Sequence, residues 1–157
     1  MPSLGPTVLR IAVGVVFAAH GAQKLFGLGG GGGLSGTAAF FAQLGLVPAY
    51  PIAIAIGLIE LAGGLLLVAG ALTPVVSVLL LATMGVAIWK VHFANGFFLN
   101  WTNAPGIGHG YEFNLALTAA LVSLMLTGPG AFSVDRRRSR EAETEAAARA
   151  RLRAGKV

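Results

Sequence analysis

Four apolar stretches divide the chain into segments that are each about as long as a membrane crossing. They lie at residues 7–25, 51–70, 74–91 and 112–127 and consist almost entirely of apolar and small side chains. A helix needs about 20 apolar residues to cross a bilayer, and the fourth stretch is slightly shorter than that. The pattern predicts an all-α integral membrane protein whose four spans form an antiparallel four-helix bundle.

Local signals support these boundaries. Pro51 opens the second span, where proline suits a first helical turn, and Gly128-Pro129-Gly130 closes the fourth span. Spans two and three are separated by a tight turn at residues 71–73, so we expect them to form a helical hairpin. The first apolar run is long for a signal peptide and lacks a suitable cleavage site, which favours an uncleaved span.

The two longer loops have different characters. The loop at residues 26–49 contains a glycine run at 29–33 and then an apolar segment at 37–44. We predict that this segment forms a short helix at the membrane interface. The loop at residues 92–111 is rich in aromatic side chains, which are typical of the membrane–water boundary.

Composition separates a membrane domain from a basic tail. The chain is 55% hydrophobic and 11% charged, whereas soluble domains contain about 25% charged residues. Residues 1–134 hold three basic and two acidic side chains, and residues 135–157 hold eight basic and four acidic ones. We expect this tail to touch anionic membrane lipids rather than nucleic acid. The chain has no cysteine, which excludes dithiol chemistry through its own side chains.

The basic tail also predicts an orientation. Four arginines between residues 136 and 140 directly follow the fourth span, and the positive-inside rule places them in the cytoplasm. With four spans the N-terminus lies there as well, which puts Arg10 near the inner face. Lys24 and Lys90 then fall near the outer face. We therefore predict a multi-pass protein with both termini cytoplasmic.

Glu60 and His20 form the first candidate site. An ionisable group at membrane depth costs about 2.5–3.5 kcal/mol, and Glu60 lies near the middle of span two, at a depth similar to that of His20. We expect Glu60 to pair with His20 or Arg10, or to be protonated. His20 and Glu60 are a candidate catalytic, proton-active pair, and the alternative is a buried clamp that joins two spans.

The second candidate site lies at the predicted outer ends of the spans, with Arg10 as a separate candidate. The candidate binding residues are Arg10, Gln23, Lys24, Lys90, His92 and Glu112. The outer members could bind an anion or a quinone head group. The alternatives are interface anchoring by the lysines, capping of span four by Glu112 and an inner-face anchor at Arg10. The histidines lie on separate elements without metal-ligand spacing, so we predict no metal site.

Several short motifs occur in order along residues 9–135. They are His20-Gly21-x-Gln23-Lys24-Leu25-Phe26-Gly27, Glu60-x-x-Gly63-Gly64, Lys90-x-His92, Gly110-x-Glu112-Phe113-Asn114 and Gly128-Pro129-Gly130-x-x-Ser133-x-Asp135. In this order and spacing, the chain resembles the DoxX family of small bacterial and archaeal membrane proteins. The resemblance implies four helices in the bacterial plasma (inner) membrane.

The resemblance also implies a link to redox chemistry. The family's name comes from a thiosulfate:quinone oxidoreductase, and a mycobacterial relative is linked to a complex that handles oxidative and thiol stress. We therefore expect a membrane subunit or accessory of a quinone-linked oxidoreductase system, with a bound quinone and a soluble or membrane redox subunit as partner. The alternative is a non-catalytic protein for small-molecule or lipid binding, transport or scaffolding. A homo-oligomer is a further expectation.

Overall fold

The computed structural model describes residues 4–154, which fold as helices joined by loops without any β-strand in that range. The helices are α1 (Leu4–Phe26), α2 (Gly33–Gln43), α3 (Ala49–Ala69), α4 (Thr73–Ala87), α5 (Glu112–Thr127) and α6 (Val134–Ala154). Helix α4 continues without a break into a π-helical turn at Ile88–His92 and a 3-10 turn at Phe93–Asn95. A further 3-10 turn at Leu28–Gly30 follows α1.

Three of these segments, Leu4–Phe26, Ala49–Ala69 and Thr73–Asn95, are long and apolar enough to cross a membrane. Helix α5 is apolar as well, but its 16 residues are fewer than a straight crossing needs. These four segments form the bundle, so the predicted all-α membrane fold is confirmed. The protein is therefore a helical membrane protein.

Neighbouring helices of the bundle run antiparallel. Gly57 near the start of α3 faces Leu25 near the end of α1, and Asn114 near the start of α5 contacts Met84 near the end of α4. We call the end where α1 and α4 begin and α3 and α5 end the tail end, and the opposite end the loop end. Between them the main core consists of Val13, Phe17, Leu67, Val76, Leu80, Met84, Leu117 and Leu121.

Helices α1 and α3 pack with their backbones in direct contact. A Cβ atom built on Gly64 would approach backbone atoms of Gly14 and Ala18 to under 3.0 Å, and one built on Gly21 would meet the backbone of Leu61 as closely. Lipid tails are as apolar as the helices, so helix association in a membrane relies on this kind of small-residue packing. The contact fixes how α1 and α3 are aligned along their length.

Helix α2 packs onto the bundle at the loop end. It buries Ala38 and Phe41 against Ala53 of α3, and the Thr37 hydroxyl donates a hydrogen bond to the Lys24 carbonyl at 3.1 Å. The short helix expected in this loop is therefore present, but it begins earlier than predicted. It belongs to the folded core, because its apolar side chains meet apolar positions on α3.

Asp135 joins α6 to the tail end. Its carboxylate accepts hydrogen bonds from the backbone N–H groups of Leu72 at 2.7 Å and Thr73 at 2.9 Å, and its own N–H donates to the Gly70 carbonyl at 3.0 Å. The first N–H groups of a helix have no partner within the helix, so this aspartate caps α4. The rest of α6 is largely exposed and carries two arginine–glutamate pairs spaced four residues apart.

Replacing Gly64 with alanine tests the close contact between α1 and α3. We expect Gly64→Ala to lower the free energy of unfolding by about 1–3 kcal/mol, because the new methyl group overlaps the α1 backbone. Gly85→Ala on α4 is the matched control, since a Cβ there meets no atom within 4 Å. Unfolding in detergent micelles, followed by circular dichroism, measures both. Equal stability of the two variants would contradict the packing argument.

Candidate functional site

A cavity of about 510 Å³ lies at the loop end of the bundle, between α1, α2, α3, α5 and the extended α4. Most of its wall is apolar. The apolar lining side chains include Phe17, Phe40, Phe41, Leu44, Ile56, Met84 and Leu117. A mostly apolar cavity of this volume with a few polar groups is typical of a small-molecule binding site.

An ion pair between Lys24 and Glu60 forms part of the cavity wall. The Lys24 Nζ atom lies 2.5 Å from Glu60 Oε2, and the two side chains are 23% and 5% exposed. An ionised carboxylate that is buried in a membrane protein is costly unless a group of opposite charge pairs with it. The pair links α1 to α3 and places a neutralised carboxylate at the cavity.

The expectation that Glu60 pairs with His20 or Arg10 is wrong, because Lys24 is its partner. Gly21 faces Leu61 across the contact between α1 and α3, so Glu60 lies level with the last turns of α1. Side chains on a helix lean toward its N-terminus, so the long Lys24 side chain reaches back to the level of Glu60. His20 also lines the cavity, with a largely exposed side chain.

The π-helical turn after α4 carries Lys90 and His92 to the same cavity. The extra residue in such a turn changes which side chains face the bundle, and π turns often occur at functional sites. Lys90 Nζ lies 4.3 Å from the centre of the Trp89 ring. Within residues 4–154, no carboxylate lies within ion-pairing distance of Lys90.

Hydrogen bonds hold the loop after this turn, and one of them shows which ring nitrogen of His92 carries a proton. Its Nδ1 atom lies 2.9 Å from the His109 carbonyl, and a carbonyl only accepts, so Nδ1 carries the proton. In a neutral ring the Nε2 atom is then the acceptor. The backbone N–H of Asn100 donates to His109 Nδ1 at 3.2 Å, and His109 also lines the cavity.

Glu112 holds the loop rather than lining the cavity. Its Oε1 atom accepts a hydrogen bond from the Leu99 N–H at 2.8 Å, and its own N–H donates to the Phe97 carbonyl at 2.9 Å. As the first residue of α5, it lies where a negative charge is favoured by the helix dipole. The structure therefore places this candidate binding residue beside the cavity and not among its lining residues.

Arg10 lies at the opposite end of the bundle from the cavity and is 1% exposed. Its side chain donates to the backbone carbonyls of Leu67, Val68, Pro129, Ala131 and Phe132. A guanidinium group has five N–H donors, and each is used. Arg10 therefore ties α1 to the end of α3 and to the segment after α5, with no donor left for a ligand.

The structure brings six of the eight candidate residues to one cavity. These are His20, Gln23, Lys24, Glu60, Lys90 and His92. The sequence argument missed Thr83 and Asn114, which are buried and line the same cavity. The position of Asn114 within an apolar span could have indicated that it lines the cavity, because polar side chains within a span usually face the bundle interior. Within residues 4–154, no three His, Cys, Asp or Glu side chains are grouped to hold a metal ion.

The fold and the cavity define a small helical membrane protein with a mostly apolar cavity at one end, whose wall carries a few charged and polar side chains. The DoxX family model matches residues 5–93, more than half of the chain, and the chain belongs to the DoxX family. This confirms the family resemblance drawn from the motifs.

The chain is similar to three named bacterial proteins. The protein is 33% identical to the Bacillus subtilis protein named "Putative oxidoreductase CatD", over 84% of this chain and 85% of the relative. It is 33% identical to "Uncharacterized membrane protein Rv3486" of Mycobacterium tuberculosis, over 85% of this chain and 81% of the relative. It is 29% identical to "Inner membrane protein YphA" of Escherichia coli, over 83% of this chain and 87% of the relative. No solved structure matches the chain.

Replacing Arg10 with methionine tests its structural role. We expect Arg10→Met to lower the free energy of unfolding by at least about 3 kcal/mol, because several buried carbonyls lose their donor. Arg138→Met removes the same charge from an exposed position on α6 and serves as the control. Thermal unfolding in micelles measures both variants, and a stable Arg10→Met protein would show that these hydrogen bonds do not hold the helix ends together.

Proposed function

We propose that the protein is a membrane subunit or accessory of a quinone-linked oxidoreductase system and that its loop-end cavity holds the quinone head group. The observation that supports this most directly is the apolar cavity lined by the Lys24–Glu60 ion pair and by Lys90, which has no carboxylate partner among residues 4–154. A membrane-embedded cavity of this kind suits a ligand with a polar ring and an apolar tail.

The residues present fit a quinone. Its ring is flat and apolar on its faces, which matches Phe17 and Met84 on the wall, and its two carbonyl oxygens accept hydrogen bonds. Lys90 and the Asn114 amide line the cavity and carry the donors that such oxygens need. When bound, a quinone would supply two-electron, two-proton redox chemistry.

The chain's own contribution would be binding and proton handling. Lys90 would donate a hydrogen bond to a ring oxygen. The Glu60 carboxylate would accept a proton at the cavity wall, and Lys24 would balance the charge of that carboxylate. His20 lines the same cavity, so its imidazole is positioned to exchange a proton with a ligand bound there.

Electrons would have to come from another component. The chain has no cysteine, so a soluble or membrane redox subunit is the partner that this proposal requires. The name of the Bacillus subtilis relative supports an oxidoreductase association. The proposal also includes a plasma membrane location, with the arginines at the tail end cytoplasmic and the cavity near the outer face.

Filling the cavity tests ligand binding directly. Gly36 of α2 lines the cavity, and a Cβ there meets no atom within 4 Å, so Gly36→Phe adds a ring without a backbone clash. We expect the protein extracted from its own membrane to carry quinone by native mass spectrometry and Gly36→Phe to lose it. Gly85→Phe, at an equally open position outside the cavity lining, should retain it. Wild-type protein that carries only phospholipid would instead favour a binding, transport or scaffold role.

Neutralising the cavity carboxylate tests proton handling. We expect Glu60→Gln to retain quinone but to slow quinone reduction by active membranes about 100-fold, because the amide cannot carry a proton. His20→Ala should slow it as well. Glu112→Gln is the control, since it changes a carboxylate at the same end of the bundle that does not line the cavity and keeps an acceptor for Leu99. Unchanged rates in Glu60→Gln and His20→Ala membranes would rule out this role.

A further inference from the structure

A second cavity, of about 320 Å³, lies at the tail end, far from the Lys24–Glu60 pair. It lies where the segment after α5 turns into α6. Its lining residues are Ala131, Phe132, Ser133, Arg136, Arg137, Arg140 and Glu141. Three of these seven side chains are arginines, and the atoms that face the cavity are mostly apolar, as they are in the loop-end cavity.

The positive charge of this second cavity is only partly balanced. Glu141 Oε1 lies 2.9 Å from Arg137 Nε, so that pair is neutral. In the part of the chain that the structure describes, no carboxylate lies within ion-pairing distance of Arg136 or Arg140. The Nε atom of Arg136 is also buried without a hydrogen-bond partner. A buried donor without an acceptor is costly, so Arg136 is placed to donate to an anion that enters the cavity.

Exposed apolar side chains beside the second cavity indicate which kind of anion it suits. Phe132 lines the cavity and is 87% exposed, although its carbonyl is held by Arg10. Leu126, in the last turn of α5, is 77% exposed. Arginines beside exposed apolar side chains at the end of a membrane helix match the boundary between phosphate groups and acyl chains.

We infer that the second cavity binds the phosphate group of an anionic phospholipid. The guanidinium groups of Arg136 and Arg140 contact the phosphate, and Phe132 contacts the first part of an acyl chain. Arginine suits this role because its planar fork matches phosphate oxygens. This site is independent of the quinone proposal and lies at the other end of the protein.

Titration of the full-length protein in micelles with phosphatidylglycerol, followed by native mass spectrometry, tests the site. We expect Arg140→Gln to weaken phosphatidylglycerol binding about fivefold, as loss of one arginine near an anionic lipid surface predicts. Arg138→Gln is the matched control, because it removes the same charge from the same helix at a residue that does not line the cavity. It should change binding less than twofold. Arg140 is exposed, so its replacement should not disturb folding.

Two further measurements identify the ligand. Phe132→Ala should weaken phosphatidylglycerol binding without changing binding of inorganic phosphate, and phosphatidylcholine should bind more weakly than phosphatidylglycerol. Equal losses in Arg138→Gln and Arg140→Gln would overturn the site in favour of diffuse attraction by the whole tail. Inorganic phosphate that displaces the lipid at equal concentration would overturn the lipid assignment, and equal binding of both lipids would overturn the requirement for an anion.

Discussion

The close backbone contact between α1 and α3 is the constraint on which the loop-end cavity depends. Glycines on both helices leave no room for a Cβ between them, so the helices have one alignment along their length. That alignment brings Lys24 level with Glu60 and allows an ion pair at 2.5 Å. A shift of one helical turn, about 5.4 Å, would separate these two charges. Small-residue packing in the membrane therefore determines the chemistry of the cavity wall.

At the tail end, Arg10 and Asp135 form hydrogen bonds with backbone groups at the ends of the helices. Helix ends leave unpaired backbone groups that must be satisfied, since a membrane interior offers no water. Arg10 donates to carbonyls at the end of α3 and after α5, and Asp135 accepts from the first N–H groups of α4. These backbone groups at the tail end are thus satisfied by side chains of the bundle itself. At the loop end, several polar side chains instead line a cavity of about 510 Å³.

Much of this arrangement could be predicted from the sequence. The length of an apolar run predicts a span, and a charged residue within such a run is a clear candidate for a functional or buried position. The family motifs and the membrane fold were predicted correctly, and six candidate residues lie around one cavity. The partner of Glu60 was not predictable, because depth along a span does not give the rotation or alignment of two helices. The sequence offered Arg10 as an inner-face anchor, but its hydrogen-bond acceptors were not predictable for a related reason. Its acceptors are backbone carbonyls distant in sequence, which leave no pattern in side-chain chemistry.

The position of the Lys24–Glu60 pair bears on whether it is only a structural clamp. A buried ion pair contributes little net stability compared with well-packed apolar side chains, because both charges lose their hydration. The contact between α1 and α3 also has close glycine packing, which holds these helices together independently of the ion pair. The pair instead lies at the cavity wall, with Lys24 partly exposed and with Lys90 and His92 lining the same space. Charges at a cavity wall, rather than sealed between helices, are what the proposed role in proton handling requires.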